Sequence, residues 1–263
     1  ITHDGYPTSL LAQALNNLHK IMTINDLFHR SDFLIIGHRG AAGLAPENTI
    51  ASFRLAIELG CPMLELDVQR IYSEDGTPRL VVFHDDKLDR TTNAKGLITD
   101  YSVEALEKVR CADDLAIPML EDVITLLAAH PNVGLNIELK SKATADLVAQ
   151  TIQANPHIPV LVSSFHHDEL ARFRKVDKAT PVAPLFARWR EDMRDLANNL
   201  DAVAINIAAT SLTATRMQTL LESKLPIFAY TVNTPSKADK LQQLGLKGIF
   251  TDRPDKLEKY LLS

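Results

Sequence analysis

Cysteine is nearly absent from this chain: two residues in 263, Cys61 and Cys111, with no metal-ligand spacing between them. That excludes a disulfide framework and a cysteine-ligated zinc module, and it points to a reducing compartment. Long apolar runs are missing as well. None approaches the roughly 18 residues needed to cross a bilayer, so no stable membrane insertion is expected. The first residues carry neither the basic block nor the apolar block of a secretory signal. The expected location is therefore cytoplasmic, with the periplasm left open. A large charge of one sign is lacking too: 28 Lys and Arg stand against 33 Asp and Glu, a formal net charge of −5. Nucleic acid and anionic lipid gain no global attraction from such a chain, so any recognition of phosphate must be local. There is no short-period repeat and no low-complexity segment. Gly37, Gly40 and Gly43 do not have the spacing of a dinucleotide or P-loop fingerprint.

What is present is the balance of an ordinary globular protein, 46% hydrophobic and 23% charged, long enough to bury a core without bridges. From residue 33 onward, short β-like runs alternate with amphipathic helical stretches. Candidate strands cover 33–37, 63–69, 80–84, 133–139, 160–164, 182–187, 202–207, 227–232 and 248–251. Candidate helices cover 49–59, 120–130, 144–154, 167–176, 213–223 and 236–244. Several strands read as continuous apolar runs, as expected of parallel strands covered by helices. This alternation predicts an α/β fold, a (β/α)8 TIM barrel with a small insertion near the third strand. Nine candidates compete for eight positions, so one is misassigned or lies outside the barrel. The link 70–79 is too short for a crossover helix, and Glu74-Asp75-Gly76 within it reads as a turn. Residues 85–119 form the insertion, a candidate lid, with a helical patch near 103–109. Residues 1–32 read as an N-terminal extension, partly helical over 4–20, ahead of a barrel at 33–263. Met22 is a candidate natural start.

Polar residues gather at the ends of these strands. Strand 63–69 carries Glu65 and Asp67, two apart and so on one face; strand 133–139 leads through Glu138 to Lys140. Three carboxylates converging at one barrel end would repel one another without a cation between them. All-oxygen ligands suit one divalent cation, Mg²⁺ or Ca²⁺, better than zinc. His38 and His84 have the imidazole chemistry of a general base and a general acid. Arg39 and Lys140 supply local positive charge for a phosphate.

The segments His38-Arg39-Gly40, Pro46-Glu47-Asn48-Thr49, Glu65-Leu66-Asp67-Val68, His84-Asp85, Ile137-Glu138-Leu139-Lys140 and Thr251-Asp252-Arg253-Pro254 together resemble the signature of the glycerophosphodiester phosphodiesterase family. The motifs run from about residue 33 to the C-terminus in the family's order. The resemblance implies a barrel, a divalent metal, and hydrolysis of a small-molecule glycerophosphodiester to sn-glycerol 3-phosphate and an alcohol. It makes Glu65, Asp67 and Glu138 metal ligands, His38 and His84 the acid/base pair, and Arg39 and Lys140 phosphate contacts. Where the family often has tryptophan before Thr-Val-Asn, this chain has Tyr230, expected to wall the substrate pocket. Attack by water and attack by the glycerol 2-hydroxyl through a cyclic phosphate both fit, and paired histidines flanking one metal favour the second.

Plainer roles fit other residues. Thr49 reads as a helix N-cap, Glu47 as support for the site, and Asn233 and Asp252 as residues that hold it by hydrogen bonds. Trp189 could line the pocket or simply pack. The remaining histidines read as structural. Two alternatives stay open: a related barrel acting on lysophospholipids as a phospholipase D, and a non-catalytic phosphate-binding barrel. Oligomeric state is not legible.

Overall fold

The computed structural model describes residues 22–261. The expected helix over 4–20 and the segment preceding Met22 lie outside the described residues.

Nine strands form: β1 (Leu34–Gly37), β2 (Met63–Tyr72), β3 (Pro78–Val82), β4 (Gly134–Leu139), β5 (Val160–Ser164), β6 (Val182–Phe186), β7 (Ile205–Ala208), β8 (Ile227–Tyr230) and β9 (Gly248–Thr251). Eight of them pair in parallel in the ring β1-β2-β4-β5-β6-β7-β8-β9, which closes where β9 meets β1. This is a TIM barrel. The surplus strand is β3. It runs antiparallel to the upper part of β2 (Val68 opposite Val82, Tyr72 opposite Pro78) and, among the described residues, pairs with no second strand beyond a single bridge from Val81 to Met119. The short link is thus a hairpin, tightened by Gly76 N–H donating to the Ser73 carbonyl at 2.9 Å.

Helices cover the ring: α1 (Ile24–Arg30), α2 (Ile50–Glu58), α3 (Val103–Leu106), α4 (Leu120–Ala128), α5 (Ala145–Ala154), α6 (His167–Val176), α7 (Met193–Asn199), α8 (Ala214–Leu221), α9 (Pro235–Gln243) and α10 (Glu258–Leu261). The six helices expected from sequence all form. α7 was not anticipated, because its seven residues bury only Met193 and Ala197 and carry too short an apolar pattern. Side chains alternate as the strand period requires. Phe33 and Ile35 face the outer core under the helices, while Leu34 and Ile36 face the barrel interior with Met63, Leu161 and Phe228.

The bottom of the barrel is plugged by α1. A capping box between Thr23 and Asp26 starts this helix, and Ile24, Leu27 and Phe28 enter the interior cluster. Phe28 meets Phe228 at 5.0 Å between ring centroids. β4 begins with Gly134 where Leu27 enters, and a Cβ there would stand 2.4 Å from Leu27 Cδ1. The insertion at 85–119 builds a small core of its own. Leu88, Ile98, Leu106 and Val109 pack on Ile71, Val81 and Phe83 of the hairpin. Cys61 and Cys111 are both free and buried, and no described helix is long and apolar enough to cross a membrane.

Phe28→Ala should cost about 3 kcal/mol, since it empties a ring-sized space in the barrel floor. The urea midpoint measures this; a change below about 1 kcal/mol would make α1 peripheral to the fold.

Candidate active site

The upper end of the ring collects the chemistry. β2 delivers Glu65 and Asp67 and β4 delivers Glu138, with Asp67 paired directly opposite Glu138 in the parallel register. All three are buried, and one oxygen of each lies within 4.8 Å of one of each other. Burial pushes the Glu65 carboxyl well above the usual range, and the charges of Asp67 and Glu138 push it further. The Glu138 carboxyl is pushed up to about 7, chiefly by burial and then by Asp67.

Several groups offset this crowding. The Arg39 backbone N–H donates to Glu65 Oε2 at 2.8 Å, and Asn48 Nδ2 donates to Asp67 Oδ2 at 2.9 Å. Arg39 Nε lies 3.3 Å from the same Asp67 oxygen, and Lys140 Nζ lies 3.0 Å from Glu138 Oε1, both as ion pairs out of hydrogen-bond alignment. Although burial opposes it, these carboxylates hold the Arg39 and Lys140 cations above their ordinary pKa values. Even so, Asp67 Oδ1 and Glu138 Oε1 are buried without a hydrogen bond. Two orphaned carboxylate oxygens beside a third acid form a cluster that can hold a divalent cation.

Backbone shape matters here. Arg39 (φ 52°) and Asn48 (φ 56°) both adopt the left-handed region, uncommon for residues with a Cβ. Those turns aim the Arg39 amide and the Asn48 side chain at the acids. Gly40 (φ 82°) passes so close to α2 that a Cβ would stand 2.5 Å from the Ser52 carbonyl carbon. Thr49 caps α2, its hydroxyl accepting from Ser52 N–H.

Both histidines line the same pocket, with Glu65, Glu138 and Tyr230. His38 follows β1, and its Nδ1 sits 2.7 Å from Asp252 Oδ1; Asp252 Oδ2 in turn accepts from Asn233 Nδ2 at 2.8 Å. Asp252 is half-buried, which opposes ionisation, yet hydrogen bonds from His38 and Asn233 hold its pKa below the usual carboxylate value. His84 arrives differently. It follows the antiparallel β3, the strand left outside the ring, which descends onto the rim from there. Phe83 N–H donates to the Asp67 carbonyl at 3.0 Å, bringing the next residue to the pocket. His84 Nδ1 lies 2.6 Å from Asp85 Oδ1. Burial lowers the His84 pKa, and Arg39 and Lys140 add to that.

The pocket's apolar wall is Phe165, Leu185, Tyr230 and Phe250. Tyr230 OH donates to the Phe186 carbonyl at 2.7 Å, so its ring faces the pocket and its hydroxyl is already used. Trp189 is absent from that wall: its Nε1 donates to Glu191 and Arg216 lies over its ring. Phe165, directly after β5, escaped the sequence reading although its place beyond a strand end was a usable signal. Asp85 and Asn48 were legible as members of motifs, without the contacts they make here.

The chain matches the family model described as the glycerophosphoryl diester phosphodiesterase family over residues 38–256. A glycerophosphodiester phosphodiesterase of Bacillus altitudinis is 35% identical over 243 residues, covering 86% of this chain and 96% of its own. Another, from Caldanaerobacter subterraneus, is 30% identical over 237 residues, covering 85% of this chain and 96% of its own. Among solved structures, an Oleispira antarctica phosphodiesterase in complex with the product sn-glycerol-3-phosphate is similar with a TM-score of 0.80. That pair shares 27% identity over 88% of this chain and 97% of the other.

The raised Glu138 carboxyl has a consequence for stability. It binds its proton more tightly folded than unfolded, so its contribution is full below about pH 4.5 and is lost as pH rises through about 7. His84 and His167, whose pKa values are lowered, act in the opposite direction in every variant. In chelator, wild type should therefore lose stability relative to Glu138→Gln between pH 4.5 and 7.5 or so, and saturating divalent cation should reverse the loss. Parallel melting curves for the two proteins across that window would remove the raised carboxyl.

Proposed function

The chain belongs to the glycerophosphoryl diester phosphodiesterase family, and from that premise we propose that it cleaves glycerophosphodiesters with one bound Mg²⁺ or Ca²⁺ and two histidines. The phosphodiesterase reaction is that of its relatives. The observation carrying the rest is the buried cluster of Glu65, Asp67 and Glu138, with two orphaned oxygens, between two histidines each tied at Nδ1 to a carboxylate.

The donor set fits a hard cation. Its oxygens lie within 4.8 Å of one another, no wider than two bonds of about 2.5 Å to a calcium-sized ion. When bound there, such an ion supplies positive charge opposite the non-bridging phosphate oxygens. Arg39 and Lys140, flanking the acids, contribute further positive charge on the same side. Engagement of Nδ1 by Asp252 and by Asp85 holds each imidazole in one orientation and leaves Nε2 free for substrate. One histidine takes the proton from the attacking oxygen as its bond to phosphorus forms. The other gives a proton to the alcohol oxygen as the phosphorus–oxygen bond breaks. The products are a glycerol phosphate and a neutral alcohol, and sn-glycerol 3-phosphate is the product held by the Oleispira relative. The wall of Phe165, Leu185 and Tyr230 suits the carbon face of a glycerol unit.

Metal-stripped protein given glycerophosphocholine should release glycerol 3-phosphate only after Mg²⁺ or Ca²⁺ is restored. His38→Ala and Glu65→Ala should each lower kcat by at least about 100-fold. Full turnover in chelator would end the metal requirement, and full turnover by His38→Ala would end the acid/base assignment.

A further inference from the structure

Arg90 lies in the insertion, at the end of a short 3-10 turn spanning Leu88–Arg90. Its guanidinium grips two carboxylates at once. Nε donates to Asp85 Oδ2 at 2.6 Å and Nη2 to Asp85 Oδ1 at 3.0 Å. Nη1 donates to Glu47 Oε2 and Nη2 to Glu47 Oε1, both at 2.8 Å. Neither carboxylate is idle. Asp85 Oδ1 meets His84 Nδ1, and Glu47 Oε1 accepts from Arg39 Nη1 at 2.8 Å. One planar fork thus ties the orientation of His84 to that of Arg39, although it stands half-exposed outside the pocket lining.

We infer that Arg90 is a positioning residue, through which the insertion sets the geometry of His84 and of the Arg39 phosphate contact. The inference rests on the roles proposed above for those two residues.

Three features of the fold support a positioning function over an incidental surface pair. First, the base of Arg90 is fixed: Leu88 is fully buried in the insertion's own core, and its N–H donates to the Gly96 carbonyl at 3.0 Å. Second, the backbone beneath His84 is held independently, because the buried Gln69 amide donates to the carbonyls of Phe83 at 3.1 Å and Asp85 at 2.7 Å. With the backbone clamped by β2, the Asp85 side chain is what remains to be oriented, and Arg90 orients it. Third, the hydrogen bonds are paired and charge-assisted. That geometry confers direction as well as attraction, and a lysine ammonium cannot reproduce it. Asp85 responds accordingly: hydrogen bonding from Arg90 first, and from His84 after it, holds its carboxyl down at about 2.

The test uses the metal-loaded full chain with glycerophosphocholine. Arg90→Met keeps the stem and removes the fork. It should lower kcat by about 10- to 100-fold, as loss of a partner that orients a working imidazole does, and should raise KM through Arg39. Arg90→Lys should recover little of either. Long-range ¹H–¹⁵N spectra of His84 should show one tautomer in wild type and a mixture in Arg90→Met, a readout that global destabilisation does not imitate. In an Asp85→Asn background, Arg90→Met should add less than about threefold to the loss in kcat. The inference is overturned by an unchanged His84 ring signature in Arg90→Met. It is also overturned if the substitution costs the same factor with and without Asp85. A His84→Ala protein with wild-type turnover would instead bring down the acid/base reading, while the ring spectra would still decide whether Arg90 holds His84.

Discussion

Three carboxylates buried within 4.8 Å of one another are the constraint around which the upper end of this barrel is organised. Unscreened anions in an apolar interior are costly enough that a protein must neutralise, protonate or coordinate them. Each of their neighbours answers that demand. Arg39 and Asn48 accept left-handed backbone to aim an amide N–H and a side-chain amide at the acids. Gly40 gives up its side chain so that this turn can press against α2. Lys140 and the Arg39 guanidinium bring their positive charge against the cluster. Two of the carboxylate oxygens, Asp67 Oδ1 and Glu138 Oε1, still lack a hydrogen bond and have the Lys140 ammonium near them.

The two histidines reach this cluster by unlike routes. His38 comes from within the ring, at the end of β1, and its carboxylate partner Asp252 follows β9, the neighbouring strand. His84 comes from outside, on a strand that turns back against β2 and makes no contribution to closing the barrel. A strand outside the ring has no second full strand beside it. Among the described residues, its outer edge is held only by a bridge from Val81 to Met119 and the Val82 N–H donating to the Pro118 carbonyl. The insertion supplies that support, packing its own apolar core on the outer face of the hairpin. The insertion is thereby part of the scaffold of the site and not a decorative loop. The bottom of the barrel is handled separately, by α1 filling the interior where the strands begin.

Much of this was legible in the order of residues. Continuous apolar runs alternating with amphipathic stretches are dictated by burial on both faces of parallel strands, so the barrel and its nine strands could be read directly. The two-residue period of a strand is enough to put Glu65 and Asp67 on one face. The motifs around His38, His84, Glu138 and Lys140 carried the family resemblance, because each is a local run whose chemistry survives without its neighbours. Local patterns say little about which strand is left out of a closed ring. That depends on hydrogen-bond pairing between distant segments, so β3 stayed one unplaced candidate among nine. Helix α7 was too short to carry a pattern, and Phe165 was marked only by its place just beyond a strand end.

By itself, then, the sequence determined the fold class, the positions of the strands and the residue types that gather at their ends, since these follow from local periodicity and composition. Tertiary structure alone decided that Asp252 partners His38 across 214 residues, that Glu47 and Arg90 meet across 43, and that His84 descends onto the rim from outside. Such contacts have no local signature. They exist because barrel closure and the β2–β3 hairpin bring separate chain segments within hydrogen-bonding distance, where burial then makes each unpartnered charge too costly to leave alone.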